Sequence, residues 1–116
     1  MSKVKELTVI QKMTDYIDWV SPLINRFPKD KKFTIGDRLL NKLYSVLELL
    51  IKSKYGNNVK KQQYLHQANI DLEIIRVLQR FLIKHNIWSL KRHQFASKSI
   101  NEIGKEIGYW YNMAVK

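Results

Sequence analysis

Cysteine is absent from the 116 residues, which excludes a disulfide framework, a thiolate metal site and a cysteine nucleophile. Proline and glycine number two and four and fall mostly where the apolar pattern breaks. No apolar run approaches the roughly 18 residues of a membrane span, so no membrane partner is expected. The opening MSKVKELTVIQKMTDY carries acids and lacks the apolar centre of a secretion signal; the expected compartment is the cytoplasm. Acids are scarce as well. Ten Asp and Glu face 21 Lys and Arg, a formal net charge of +11. That imbalance suits a polyanion or an anionic surface, without separating RNA, DNA, lipid headgroups and acidic protein. The hydrophobic share, 45%, is too high for a chain disordered throughout, and the length fits one domain, residues 1–116.

What is present is helical periodicity. Breaks at Phe27-Pro28-Lys29-Asp30, at Gly56-Asn57-Asn58 and from Asn86 to Ser89 divide the chain into four segments, about 4–26, 31–55, 59–85 and 90–114. None alternates with the period of two that a strand requires. In the first, Val9, Met13, Tyr16, Val20, Leu23 and Phe27 recur at steps of four and three, one face of a helix. A second line, Leu7, Ile10, Ile17 and Ile24, widens it, and Pro22 predicts a kink because it cannot bond to the carbonyl of Asp18. The second carries Leu39, Leu43, Val46 and Leu50 beside Leu40, Leu47 and Ile51. Asp30 is its expected N-cap and Gly56 its expected left-handed terminator. The third shows Leu65, Ala68, Leu72, Ile75, Leu78 and Leu82, with Asn86 to end it. The fourth, capped by Ser89, repeats Ala96, Ile100, Ile103, Ile107, Trp110 and Ala114, a heptad seam. Four amphipathic helices with short connections predict an all-α, antiparallel, up-down-up-down four-helix bundle.

The cations concentrate in stretches. RFPKDKKFTIGDR places Arg26, Lys29, Lys31, Lys32 and Arg38 at the corner between helices one and two, with Phe27 and Phe33 expected to anchor it. Lys31 and Lys32 oppose the helix dipole at a cost of a few tenths of a kcal/mol each; an anion docked there would reverse the sign. Arg76, Arg80 and Lys84 form a second patch, and Lys91, Arg92, Lys98 and Lys105 a third. All twelve are candidates for contact with nucleic acid or a protein partner; solubility alone is the competing reading.

Gly104 and Gly108 are spaced G-x-x-x-G inside helix four. Each costs about 1 kcal/mol against alanine, so they read as sites of close backbone approach, within the bundle or between subunits. Tyr109, Trp110 and Tyr111 follow on three faces, and three adjacent aromatics cannot all enter one core. These five residues are the expected interface or close-packing set. His66, His85 and His93 show no ligand spacing, so no metal or other cofactor is expected. Arg80 and His85, in RFLIKH, fit the loose Arg-x4-His pattern of HEPN-type RNases, which would make His85 an acid or base; an unrelated basic helix end explains the same residues. No paired carboxylates, nucleophile-base set or phosphate loop is evident, and no enzymatic activity is expected.

Three patches taken together carry a resemblance: RFPKDKKFTIGDRL with LELLIKSKYG, ANIDLEIIRVLQRFL, and INEIGKEIGYW. Over about residues 20 to 112 the chain resembles the four-helix-bundle family of the accessory variability proteins of diversity-generating retroelements. That family also contains proteins encoded in ribosomal-RNA intervening sequences. The resemblance implies a ring-like homopentamer with a basic surface. For the accessory branch it implies binding to the retroelement's reverse transcriptase and template RNA during mutagenic cDNA synthesis; the net charge leaves DNA open as a further partner. A ribosomal-RNA intervening-sequence protein, of unknown role, is the alternative within the family.

Overall fold

The computed structural model describes residues 3–116, with side chains from residue 8 onward. The side chain of Leu7, assigned above to the second apolar line of helix one, lies outside those described. Among the described residues every regular element is helical. Helix α1 is Lys3–Asn25. Helix α2 covers 29–55 and has three parts: an opening turn Lys29–Lys31, a wide π-turn Lys32–Gly36 and a regular stretch Asp37–Tyr55. Helix α3 is Asn58–Lys84 and helix α4 is Leu90–Ala114. Helix α1 packs on α2 and α4, and α3 packs on the same two. The result is a four-helix bundle of 45 × 23 × 20 Å.

The periodic residues are the core. Val9, Met13 and Val20 of α1, Leu39, Leu43, Val46 and Leu50 of α2, Leu65, Ala68, Leu72, Ile75 and Leu82 of α3 and Ala96, Ile100, Ile103 and Ile107 of α4 are fully buried. Trp110 closes the α4 seam at 2% exposure. One polar pair crosses the diagonal: the Tyr16 hydroxyl donates to Gln79 Oε1. Both groups are buried, and burial pushes the Tyr16 phenol well above its ordinary range.

Side-chain pairs fix the register between helices. Lys12 Nζ lies 2.9 Å from Glu106 Oε2, and the Trp19 and Phe95 rings lie 4.5 Å apart between α1 and α4. Lys42 meets the buried carboxylate of Asp71 at 3.4 Å, and Lys52 lies 6.0 Å over the Tyr64 ring, between α2 and α3. Arg76 Nε donates to Asn101 Oδ1 at 3.2 Å, and Gln62 Nε2 donates to the Ala114 carbonyl at 3.2 Å, between α3 and α4.

The connections depart from the expected chemistry in instructive ways. Asp30 is not the cap of α2. The helix begins at Lys29 behind Pro28, whose carbonyl accepts from the N–H groups of Lys31 and Lys32 at 2.8 Å. Gly56 is not left-handed either: at φ −84°, ψ 158° it is extended and leads directly to Asn57. Asn57 is the N-cap of α3, its side chain accepting from the Lys60 N–H at 2.9 Å. A Cβ on Gly56 would sit 3.0 Å from the Lys60 Cβ, so close approach explains this glycine. Asn86 does take the left-handed conformation, φ 58°, letting the Ile87 N–H reach the Leu82 carbonyl at 2.8 Å. Ser89 caps α4 through the Arg92 N–H. Helix α1 continues through Pro22 to Asn25, one turn from its end.

Candidate nucleic-acid interface

The corner between α1 and α2 is shaped by Gly36. A Cβ there would lie 3.0 Å from Ile24 Cγ2 and 3.4 Å from Phe27 Cδ2, so any other residue would have to push these side chains back by a few tenths of an ångström. The π-turn ends at this residue, and π-turns are frequent at functional sites. Phe27 is buried as expected, but Phe33 is not an anchor: it is 58% exposed, with Lys32 Nζ 5.3 Å over its ring. Ile35 packs against the core in its place. The wide turn carries one residue more than a regular turn, which changes which side chains face inward.

The expected cations are surface residues; Lys32 and Arg76 are half-buried and the other ten exposed. Three of the twelve have a carboxylate within 4.0 Å: Lys31 with Asp30, and Arg76 and Arg80 with Glu73. Arg26, Lys29, Lys32, Arg38, Lys84, Lys91, Arg92, Lys98 and Lys105 have none among the described residues. Positions 18–38 and 80–98 hold ten of the cations and three acids, Asp18, Asp30 and Asp37, so most of the net charge belongs to these two stretches.

Two grooves show how these stretches meet. The first, about 370 Å³ between α2 and α3, is lined by Lys31, Thr34, Ile35, Arg38, Leu78, Phe81, His85 and Ile87. It joins the first patch to the end of α3 over an aliphatic floor. The second, about 580 Å³, is lined by Trp19, Ser89, Lys91, Arg92 and Phe95. The loop from His85 to Ser89 links them, and Trp88 in that loop is buried with its ring 6.3 Å from Trp19. Trp88 Nε1 and His93 Nδ1, rings 6.0 Å apart, are buried without a hydrogen-bond partner among the described residues.

Other expected residues fall elsewhere. Arg76 is turned to α4, where its terminal nitrogen is 2.7 Å from the point a Gly104 Cβ would occupy. It ties helices together while sharing the Glu73 carboxylate with Arg80. Lys105 lies thirteen residues beyond Arg92 on α4, roughly 20 Å along the axis, and stands apart from both grooves. Gly108 has nothing within 4 Å of an added Cβ, so no neighbour inside the chain explains it. Trp110 belongs to the chain's own core, Tyr111 packs partly against it, and Tyr109 is exposed. His85 lines the aliphatic groove with its ring 6.2 Å from Phe81, and no carboxylate pairs with it among the described residues. Among the described residues no cluster of three His, Cys, Asp or Glu has metal-holding geometry, and no helix is long and apolar enough to cross a membrane.

The aromatic corner of Trp19, Trp88, His93 and Phe95 was missed in the sequence. Its signal was Phe95 three residues after Arg92, off the heptad seam and on the same side as the cations.

Three cations without a carboxylate partner among the described residues, Arg38, Lys91 and Arg92, line the two grooves of this basic four-helix bundle. The family model described as bAvd-like matches residues 7–114, and the chain belongs to that family of accessory proteins. No curated protein and no solved structure matches it.

Proposed function

We propose that this chain is a non-enzymatic accessory protein of a diversity-generating retroelement. It binds the retroelement's reverse transcriptase and its template RNA in support of mutagenic cDNA synthesis, and holds DNA by the same charges. It works in the cytoplasm as a homopentameric ring of antiparallel, up-down-up-down bundles. The helix pairings support the topology: along α1 and α4, α2 and α3, and α3 and α4, rising numbers on one helix meet falling numbers on the other. The observation that carries the reading is the family match over 7–114, and the unpaired cations beside the grooves give it a physical basis. Each phosphate contact releases a counterion, so binding is salt-dependent and tolerant of sequence.

The test is purification of the tagged chain from its native host, with identification of bound RNA and protein. A reverse transcriptase and its template transcript are expected. Recovery of ribosomal-RNA fragments without a polymerase would move the chain to the other branch of the family.

A further inference from the structure

We propose that the groove lined by Trp19 and Phe95 is a stacking site for an unpaired base of single-stranded RNA, the base lying on the exposed side of the paired rings and its phosphate against Lys91 and Arg92. The inference rests on the RNA-binding reading and goes beyond it in naming the site and the state of the strand. Phe95 is 49% exposed although Ala96 and Ile100 beside it are buried. Its ring is braced against Trp19 at 4.5 Å and 46°. Trp19 is held in turn by Tyr16 at 5.6 Å and by Trp88 at 6.3 Å. The platform is therefore positioned before any ligand arrives, which keeps the ordering cost of stacking low. The groove volume, about 580 Å³, falls in the ~300–1,000 Å³ range of ligand sites.

Charge sets the direction of the strand. Lys91 and Arg92 line the groove and have no carboxylate partner among the described residues. On the other side of Phe95 a smaller cavity, about 170 Å³, is lined by Lys12, Asp15, Tyr16, Ser99, Glu102 and Ile103. Lys12 there is held by Glu106, leaving Asp15 and Glu102 to repel phosphate. The backbone of a bound strand thus runs on the Lys91–Arg92 side. Aromatic faces beside cations suit a base with its phosphate, the combination used for single strands. The α2–α3 groove, with Ile35, Leu78 and Ile87 on its floor, suits a protein side chain instead.

The probe is a single-stranded RNA containing 2-aminopurine, titrated against the full chain beside a duplex RNA of equal length at fixed salt. Stacking quenches the 2-aminopurine. Phe95→Ala is expected to weaken single-strand binding about tenfold and remove most of the quenching, with duplex affinity unchanged. Phe95→Leu, which keeps apolar bulk without a ring, should behave like Phe95→Ala, and Phe95→Tyr should behave like the parent chain. Equal quenching and affinity in the parent and Phe95→Leu chains overturn the stacking site while leaving RNA binding intact. A parent chain that binds no RNA overturns both. A change in oligomer mass with RNA affinity preserved assigns the groove to a protein contact and also overturns the proposal.

Discussion

Gly108→Ala separates the energetics of the chain from those of its assembly. Alanine replacing a helix-interior glycine gains about 1 kcal/mol. At position 108 nothing opposes the gain, because the added Cβ meets no atom of the chain within 4 Å. For a domain of this size ~1 kcal/mol corresponds to about 3 to 5 °C in Tm. Gly104→Ala is the control. There the Cβ would fall 2.7 Å from the Arg76 guanidinium, which must move and give up its 3.2 Å hydrogen bond to Asn101 and its 3.3 Å contact with Glu73. Those partly exposed contacts are together worth about 1 kcal/mol, so the net change is near zero. Urea unfolding followed by circular dichroism, at concentrations where the chain is dissociated, measures both. In the pentamer reading Gly108 makes its close contact with a neighbouring subunit, so Gly108→Ala, and more strongly Gly108→Leu, lowers the assembled mass in light scattering. A dissociated Gly108→Ala chain less stable than its parent would refute the steric argument. An intact assembly of Gly108→Leu would remove Gly108 from the subunit contact.

Tyr16→Phe leaves Gln79, 1% exposed, without its donor and should cost about 1 to 3 kcal/mol in unfolding experiments; combining it with Gln79→Leu should recover much of that, and strictly additive single changes would deny the pair its coupling. Arg80→Glu with Lys84→Glu should reduce RNA affinity and lower the salt slope by about 0.7 for each phosphate contact removed, with helicity retained; an unchanged slope would clear the end of α3 of phosphate contact.

The core was legible because burial along a single helix follows its own period. The α4 seam from Ala96 to Ala114 and the α2 stripe from Leu39 to Leu50 are buried residue for residue. Features that depend on two helices at once were not legible. Nothing in the sequence of α1 sets Trp19 against Phe95, and nothing in either helix pairs Tyr16 with Gln79. The π-turn defeated the inward placement of Phe33 because a regular period was carried through a turn that contains an additional residue. Gly56 was misread because terminating glycines are so often left-handed, whereas here Asn57 begins the next helix at once. The individual cations were visible in the sequence; that Lys31 and Arg38 of α2 border a groove floored by Leu78 and Ile87, and Lys91 and Arg92 one walled by Trp19, depends on packing.

The wide turn between Lys32 and Gly36 behaves as a swivel. Each residue turns a helix by about 100°, so losing one residue there would restore a regular spiral and re-aim the side chains of Lys29, Lys31 and Lys32 by about that angle. Leu39, Leu43, Val46 and Leu50 would stay where they are. A single deletion there would redirect these lysines with the α2 stripe still in register, at the cost of re-seating Ile35 and Gly36 against α1.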